Sequence, residues 1–443
     1  MRSIRLSVVF LCVAVTAFAQ DTARMEQVIQ SYVKAGTFMG TVLVARDGKI
    51  VLNRAYGSAN LEWDVPNTTT TKFRLGSITK QFTAASILLL EERGKLKIDD
   101  RVKTYIADAP PAWDRITLFN LLTHSAGIPN FTSLAEYNKL KFSPSTPDLI
   151  IAAFKDKPLD FGPGEEMRYS NSGYLVLGSI IEKLSGGSYA AFVTDNIFKP
   201  LGMNDSGYDS NSAIIPHRAN GYIKGPVATV NAGYINMTVP HAAGALYSTT
   251  EDLLQWEQAL FAGKVVSPAS LERMTTPFKN DYAFGLLSRL ERDRRVISHN
   301  GGINGFNTSM AYYPDTRTNV IVLSNVNGPV PDTLVPQLGA LMLGDTVTLT
   351  SERKEISLPV TTLSRYVGSY ELTPAATMTI ALDGSQLTAQ LTGQGKNPIF
   401  AESERSFFLK VVDAQIEFIT DNAGSVTHLV LHQNGRETKA AHK

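Results

Sequence analysis

Hydrophobic positions in the first part of the chain follow two different periods. From residue 21 to 36 they recur at the spacing of a helix that packs one face against a core. The runs Gly40–Arg46 and Ile50–Tyr56 are apolar and β-rich, and they flank Asp47-Gly48, which is the strongest short-range indication of a β-hairpin. The pattern therefore predicts a helix followed by a two-stranded hairpin.

The following segments are mainly helical. Residues 84–90 carry almost no polar side chain, and a helix of that composition is buried on most sides. Between about residues 95 and 260, Pro and Gly separate short helical patterns. One covers 175–184, and another begins at Thr249, with Asp252 three residues later in a capping arrangement. This region is predicted to form a helical lobe.

Strand-like patterns return after residue 280. Four runs predict a meander, and a short helix follows it over 334–343. The four runs cover residues 282–290, 295–299, 307–313 and 319–323. Strands at both ends of this region enclose the helical lobe, so the economical architecture is one sheet with helices packed on it.

The last part of the chain changes character. Residues 345–362 are dominated by polar and charged side chains and are interpreted as a linker. Residues 363–443 contain short strands separated by the turn sequences Asp383-Gly384, Asn422-Ala423-Gly424 and Asn434-Gly435, which predicts a small all-β barrel or sandwich. The first domain would then cover residues 20–344.

Composition and the N-terminus bear on location rather than chemistry. The 443 residues are 43% hydrophobic and 19% charged with a net charge of +1, which is typical of a globular protein and suggests no nucleic-acid or anionic-membrane partner. Residues 1–19 have the charged start, apolar run and small-residue end of a cleavable signal peptide. The single cysteine, Cys12, lies inside it. We expect a periplasmic or secreted mature chain without a membrane span.

Ser77 and Lys80 are the first candidates for chemistry. They precede the buried helix, follow Gly76, and lie three residues apart, so both side chains share a face if Ser77 is in the first helical turn. A serine hydroxyl needs a neighbouring base, and burial favours the neutral, basic form of lysine. The same spacing at Ser31–Lys34 and Ser351–Lys354 lacks this context and is interpreted as chance.

Two further stretches supply what acyl transfer by serine needs. Tyr169 and Asn171 follow a Gly-Pro-Gly turn and offer a proton shuttle and a positioning amide. A second Tyr-x-Asn at residues 234–236 lacks that turn. The segment 298–302, Ser-His-Asn-Gly-Gly, is expected to end one strand and lead into another, and its Gly302 amide could join the Ser77 amide in binding an oxyanion.

These motifs together resemble the serine β-lactamase and penicillin-binding-protein superfamily, most closely its class C β-lactamase, D-peptidase and esterase branch. The resemblance also covers residues 121–128, 200–203 and 243–248. It implies an α+β fold, with an antiparallel sheet flanked by helices, an inserted helical lobe and an appended small all-β domain. It also implies a set of site residues: Ser77 as nucleophile, Lys80 as its base, Tyr169 as shuttle, Asn171 as positioning group, and His299, Gly301 and Gly302 at the substrate.

His299 and Gly301 lie where many relatives have Lys-Thr-Gly. A lysine there is a permanent cation suited to a substrate carboxylate, whereas histidine is mostly neutral at pH 7. We therefore expect an esterase or a D-amino-acid peptidase or carboxypeptidase, acting on a small-molecule or peptide acyl substrate without metal or other cofactor. His124 is expected to be structural.

Two alternatives stay open at this stage. One is a β-lactamase, which shares these residues. The other is a non-catalytic penicillin- or ligand-binding sensor, which would acylate without turnover or not react at all. The natural substrate, the role of the all-β domain and the oligomeric state are not predicted.

Overall fold

The computed structural model describes residues 22–225, 227–433 and 436–443. The chain divides into two units, one ending at Gly339 and the other beginning at Ala340. The predicted signal peptide with Cys12, and the turn predicted at Asn434-Gly435, lie outside the described residues. The predicted domain boundaries at 344 and 362 stay predictions.

The strands of the first unit comprise a long meander, the N-terminal hairpin and several short pieces. In chain order they are β1 Gly40–Arg46, β2 Lys49–Tyr56, β3 Ser58–Asn60, β4 Val65–Pro66, β5 Phe73–Arg74, β6 Gly207–Tyr208, β7 Tyr222–Lys224, β8 Thr229–Asn231, β9 Leu246–Ser248, β10 Leu287–Glu291, β11 Arg294–Ile303, β12 Phe306–Tyr313, β13 Thr318–Ser324 and β14 Val326–Asn327. Six of them form one antiparallel sheet in the order β10-β11-β12-β13-β1-β2. The predicted hairpin is confirmed, with Asp47 and Gly48 at φ of 51° and 75° in its turn.

The helices of this unit lie mostly between the hairpin and the meander. In chain order they are α1 22–34, α2 Thr79–Glu92, α3 Leu118–Leu122, α4 Tyr137–Leu140, α5 Pro147–Ala152, α6 Asn171–Ser185, α7 Tyr189–Val193, α8 Lys199–Leu201, α9 His241–Gly244, α10 Thr250–Phe261 and α11 Pro268–Thr275, and α12 Val330–Met342 begins in this unit and ends past its last residue. None of the described helices is long and apolar enough to cross a bilayer. The predicted combination of antiparallel sheet, helices and helical lobe is confirmed.

Helix α2 lies at the centre of the core, as its composition predicts. Its buried side includes Phe82, which stacks on Trp256 of α10 at 4.2 Å between ring centroids. The predicted cap of α10 is confirmed, because the Thr249 side chain accepts a hydrogen bond from the Asp252 amide. Glu257 of α10 is buried and accepts a hydrogen bond of 2.8 Å from the Asn319 side chain.

The predicted strand 282–290 is wrong in its first half, because β10 begins only at Leu287. Residues before it form a loop in which Gly285 has a φ of +69°. A β-carbon at Gly285 would lie 2.5 Å from the Lys80 carbonyl oxygen, so the chain must leave strand geometry to pass close to α2.

The second unit confirms the predicted small all-β domain. Helix α13 Val360–Leu363 precedes eight strands that close into a barrel: β15 Gly368–Thr373, β16 Ala376–Asp383, β17 Gln386–Leu391, β18 Asn397–Ala401, β19 Ser406–Leu409, β20 Ala414–Thr420, β21 Val426–Gln433 and β22 Arg436–His442. Aromatic and aliphatic side chains pack its core, with Tyr370, Ile416 and Phe418 fully buried. Ile356, within the predicted linker, donates its amide hydrogen to the Ala401 carbonyl of this unit.

Candidate active site

A tight turn carries Ser77. Residues Gly76–Ile78 form a single 3-10 turn, and α2 begins only at Thr79, so Ser77 lies just before the α-helix rather than in its first turn. Gly76 has a φ of +56°, and a β-carbon there would lie 2.8 Å from the Gly302 amide nitrogen. The glycine before the serine is therefore required by both the turn and the neighbouring strand.

Lys80 connects three separate parts of the chain. Its Nζ lies 3.0 Å from Ser77 Oγ, 2.9 Å from Asn171 Oδ1 and 2.8 Å from the Ala243 carbonyl oxygen. The side chain is fully buried, and this burial lowers the pKa of Lys80 well below its usual value. No carboxylate is among these three contacts, so the ammonium form is not stabilised by an ion pair here.

The contacts of Lys80 suit both of its protonation states: an ammonium donates to all three oxygens, whereas the neutral amine that burial favours has two N–H donors and one lone pair. The Asn171 amide oxygen and the Ala243 carbonyl oxygen can only accept hydrogen bonds, so they take the two N–H groups. Ser77 Oγ is the third contact, where the ammonium form donates a hydrogen bond and the neutral form presents its lone pair to the hydroxyl hydrogen. This is the arrangement in which a lysine can remove the serine proton.

Asn171 is oriented by its own neighbours. It is the first residue of α6; its backbone amide donates to Asn130 Oδ1 at 3.1 Å, and its Nδ2 donates to Thr132 Oγ1 at 3.3 Å. With Nδ2 directed to Thr132, the amide oxygen faces Lys80. Asn171 thus lies where the sequence predicts a positioning group.

Tyr169 lies on the other side of the nucleophile. Its hydroxyl lies near that of Ser77, and its ring centroid is 4.9 Å from Lys80 Nζ. Burial of the hydroxyl end of the side chain raises the pKa of Tyr169 above its usual value, and the nearby Ser77 hydroxyl opposes this shift. The resting side chain is therefore a protonated phenol, which can donate a proton.

The structure corrects the predicted strand ending at 298–302, because β11 continues through this segment to Ile303. Its last pair with β10 is Ser298 with Leu287, so the edge beyond that point has no strand beside it. The turn that carries Ser77 lies there instead: a β-carbon at Gly301 would be 2.0 Å from the Leu75 carbonyl oxygen and 2.9 Å from the Ser77 amide nitrogen. Gly301 is thus required by close backbone approach, and Gly302 lies next to the nucleophile turn.

His299 is buried and uncharged. Burial lowers the pKa of His299 to about 3. Its Nδ1 lies 2.6 Å from the Asn300 carbonyl oxygen, which only accepts, so Nδ1 carries the ring hydrogen. Its Nε2, 3.0 Å from the Tyr282 hydroxyl, then accepts. Both ring nitrogens are occupied, and His299 presents no cation to a substrate.

The structure places further residues in the site that sequence reasoning did not assign to it. Tyr282 holds His299, Thr132 holds Asn171, and the Ala243 carbonyl holds Lys80. The sequence pattern places Tyr282 only in a strand, and every residue has a backbone carbonyl, so no motif can single out the one at Ala243. Among the described residues, no group of three His, Cys, Asp or Glu side chains could hold a metal ion.

Comparison with known proteins gives the family. Residues 25–341 match the family described as Beta-lactamase. The chain belongs to that family. The resemblance inferred from the motifs is therefore confirmed, and the protein is a member of a family of serine hydrolases. Residues 352–441 match a second family, described as a domain of unknown function, DUF3471.

Relatives of this Beta-lactamase family member include penicillin-binding proteins. A penicillin-binding protein of Bacillus subtilis is 30% identical over 432 residues, covering 91% of this chain and 94% of the relative. The structure of an octameric penicillin-binding protein homologue from Pyrococcus abyssi is 27% identical with a TM-score of 0.68, covering 95% of this chain and 100% of that one. The structure of a D-stereospecific amidohydrolase from Streptomyces is 25% identical with a TM-score of 0.55, and the match covers 65% of this chain and 90% of that one.

Proposed function

We propose that this protein is an exported serine acyl-hydrolase that forms an acyl-enzyme at Ser77 and acts on acyl donors without a carboxylate beside the scissile bond, namely esters, amides of D-amino acids and peptides of D-amino acids cleaved away from their terminal carboxylate. The observation that carries the proposal is the geometry of Lys80. A buried amine held by two fixed acceptors, with a serine hydroxyl as its third contact, is suited to general-base catalysis. Export rests on the signal peptide predicted over residues 1–19.

In the first step, the Ser77 hydroxyl proton passes to Lys80 Nζ while Oγ forms a bond to the substrate carbonyl carbon. The electron pair of the C=O double bond moves to oxygen, and the resulting oxyanion is bound by the backbone amides of Ser77 and Gly302. Lys80 becomes an ammonium that still contacts Asn171 and Ala243, so the new charge keeps its hydrogen bonds.

In the second step, the tetrahedral intermediate collapses and the bond to the leaving group breaks. The Tyr169 phenol gives its proton to the leaving atom, and the Lys80 ammonium returns a proton to Tyr169. Water then attacks the acyl carbon, giving one proton to the site and displacing Ser77 Oγ, which is reprotonated. The free acid leaves, and every group returns to its starting state.

The uncharged character of His299 supports the choice of substrate. A substrate carboxylate would find no cation at His299, where many relatives have lysine. Esters and amides without a carboxylate near the scissile bond bring no negative charge that would be left unpaired beside His299. The D-stereospecific amidohydrolase among the structural neighbours acts, by its name, on amides of D-configuration, which supports including that class.

The test is intact mass after mixing the protein with a nitrophenyl ester, a D-amino-acid amide and a penicillin in turn. We expect an acyl adduct and turnover with the first two substrates, and neither in Ser77→Ala. Ser351→Ala removes an exposed serine of the same Ser-x-x-Lys spacing and should behave as the parent. Hydrolysis by Ser77→Ala at the parental rate would refute the assignment.

The penicillin arm separates the alternatives. An adduct that forms rapidly and clears would indicate a β-lactamase, and one that forms and persists would indicate a penicillin-binding sensor. Our proposal expects slow acylation by penicillin compared with the neutral ester.

A further inference from the structure

His124 packs against Tyr169, the candidate proton shuttle, and takes no part in the reaction just described. Its ring centroid lies 4.3 Å from the ring of Tyr169, 4.5 Å from Tyr282 and 5.1 Å from Tyr174. The side chain is only 3% exposed. This packing alone would make His124 a space-filling residue, but its polar atoms also form hydrogen bonds next to Tyr169.

Both backbone neighbours of Tyr169 are bound by this one residue. The Arg168 amide donates to the His124 carbonyl oxygen at 3.0 Å, and the Ser170 amide donates to His124 Nδ1 at 3.3 Å. Tyr169 belongs to no helix or strand, and 36% of it is exposed. Its position is therefore held by contacts from outside its own segment rather than by regular secondary structure.

The backbone conformation of His124 allows it to form both hydrogen bonds. Its φ is +56°, in the left-handed region that residues other than glycine adopt uncommonly. This conformation follows α3 and lets the carbonyl and the ring of one residue reach the two amides on either side of Tyr169.

We propose that His124 is a positioning residue for Tyr169, holding the phenol where it can pass its proton to the leaving group. The inference rests on the proposed function, since it assumes that Tyr169 is the proton donor. His124 itself transfers no proton. Nδ1 accepts from Ser170, so the ring hydrogen is on Nε2, and Nε2 has no hydrogen-bond partner in the described part of the chain. Burial lowers the pKa of His124 well below its usual value, which keeps the ring in this neutral form.

The test compares two substrates with the same acyl group, a nitrophenyl ester and an amide. Nitrophenolate leaves without a proton, whereas an amide nitrogen must be protonated, so only the amide depends on a well-placed Tyr169. The variants are His124→Gly and His124→Asn. Both residues tolerate a positive φ, but only Asn keeps an acceptor for the Ser170 amide. His217→Gly is the matched control, since His217 is exposed and has a φ of 62°.

We expect His124→Gly to lower kcat/KM for the amide by roughly 100-fold, the lower end of what a positioned general acid contributes, with a much smaller change for the ester. His124→Asn should fall between it and the parent, and His217→Gly should match the parent. In a Tyr169→Phe background, His124→Gly should cause no further change in the amide-to-ester ratio.

Equal losses on both substrates, or the same drop in ratio with Phe at position 169, would overturn the inference. If His124→Gly melts below the assay temperature, His124→Asn is used for the test instead. An amide-to-ester ratio of kcat/KM equal to that of the parent in His124→Asn would then overturn the role of the ring. A Ser77→Ala protein that still hydrolyses the ester refutes the proposed function, whereas parental selectivity in His124→Gly refutes only the role of His124.

Discussion

Replacing Glu257 with Gln should change how the stability of the first unit depends on pH. Glu257 is buried in α10, and burial raises its pKa from 4.5 to about 8, with the Asn319 hydrogen bond opposing the shift. A carboxyl whose pKa is raised by folding binds its proton more tightly in the folded state. Its contribution to stability is therefore full below about pH 4.5 and is lost as the pH rises to about 8.

The magnitude follows from the same pKa values. A shift from 4.5 to about 8, at about 1.36 kcal/mol for each pH unit, gives a loss of up to about 5 kcal/mol between these pH values. Glutamine has the same shape, keeps an oxygen acceptor for Asn319, and has no proton to lose. The variant and the parent should therefore be similar in free energy of unfolding near pH 5, and the variant should be the more stable by several kcal/mol near pH 9.

Urea unfolding followed by tryptophan fluorescence at several pH values measures this difference. Trp63, Trp113 and Trp256 are the only tryptophans of the chain, and all lie before residue 340, so the signal reports the first unit. Glu251→Gln, an exposed change in the same helix, is the control. A variant whose stability follows pH in parallel with the parent would refute the reasoning, because Glu257 would then be ionised in the folded protein throughout.

Two other predictions concern β11, the strand that carries His299, Gly301 and Gly302. Gly301→Ala should abolish most hydrolytic activity, because its β-carbon would lie 2.0 Å from the Leu75 carbonyl oxygen. Gly302→Ala should retain much more activity, because the nearest atom to its β-carbon is a side-chain atom at 3.4 Å. Equal activity of the two variants in an ester assay would contradict this prediction. His299→Lys should accelerate acylation by penicillin relative to the neutral ester, because it supplies a cation for the carboxylate; an unchanged ratio of the two acylation rates, measured by intact mass, would contradict it.

Local sequence signals predicted much of the fold. Asp47-Gly48 between two apolar runs specifies its hairpin through backbone conformations of those two residues alone, and Thr249 caps α10 through an amide three residues away. The pairing of Ser77 with Lys80 is also local. These features depend on near neighbours in the chain, and so they are visible in the sequence.

The rest of the site depends on residues far apart in the chain. Lys80 meets Asn171 and the Ala243 carbonyl across 91 and 163 residues, and no periodicity reports such contacts. The pattern does not predict the continuation of β11 past His299 because two glycines usually weaken a strand, whereas here close approach of the Leu75 segment requires one of them. The uncharged state of His299 follows from burial and from Tyr282, which only the folded structure brings to it.

The neutral resting forms of Lys80, Tyr169 and His299 have a consequence for how substrates arrive. With no net charge, these three side chains add little to the long-range field that a charged molecule meets, and any steering of it comes from charges elsewhere on the protein. Charge appears only during the reaction, as an oxyanion and an ammonium a few ångströms apart. The selection of substrate is thus made at contact, by shape and hydrogen bonding, after diffusion has brought it to the site.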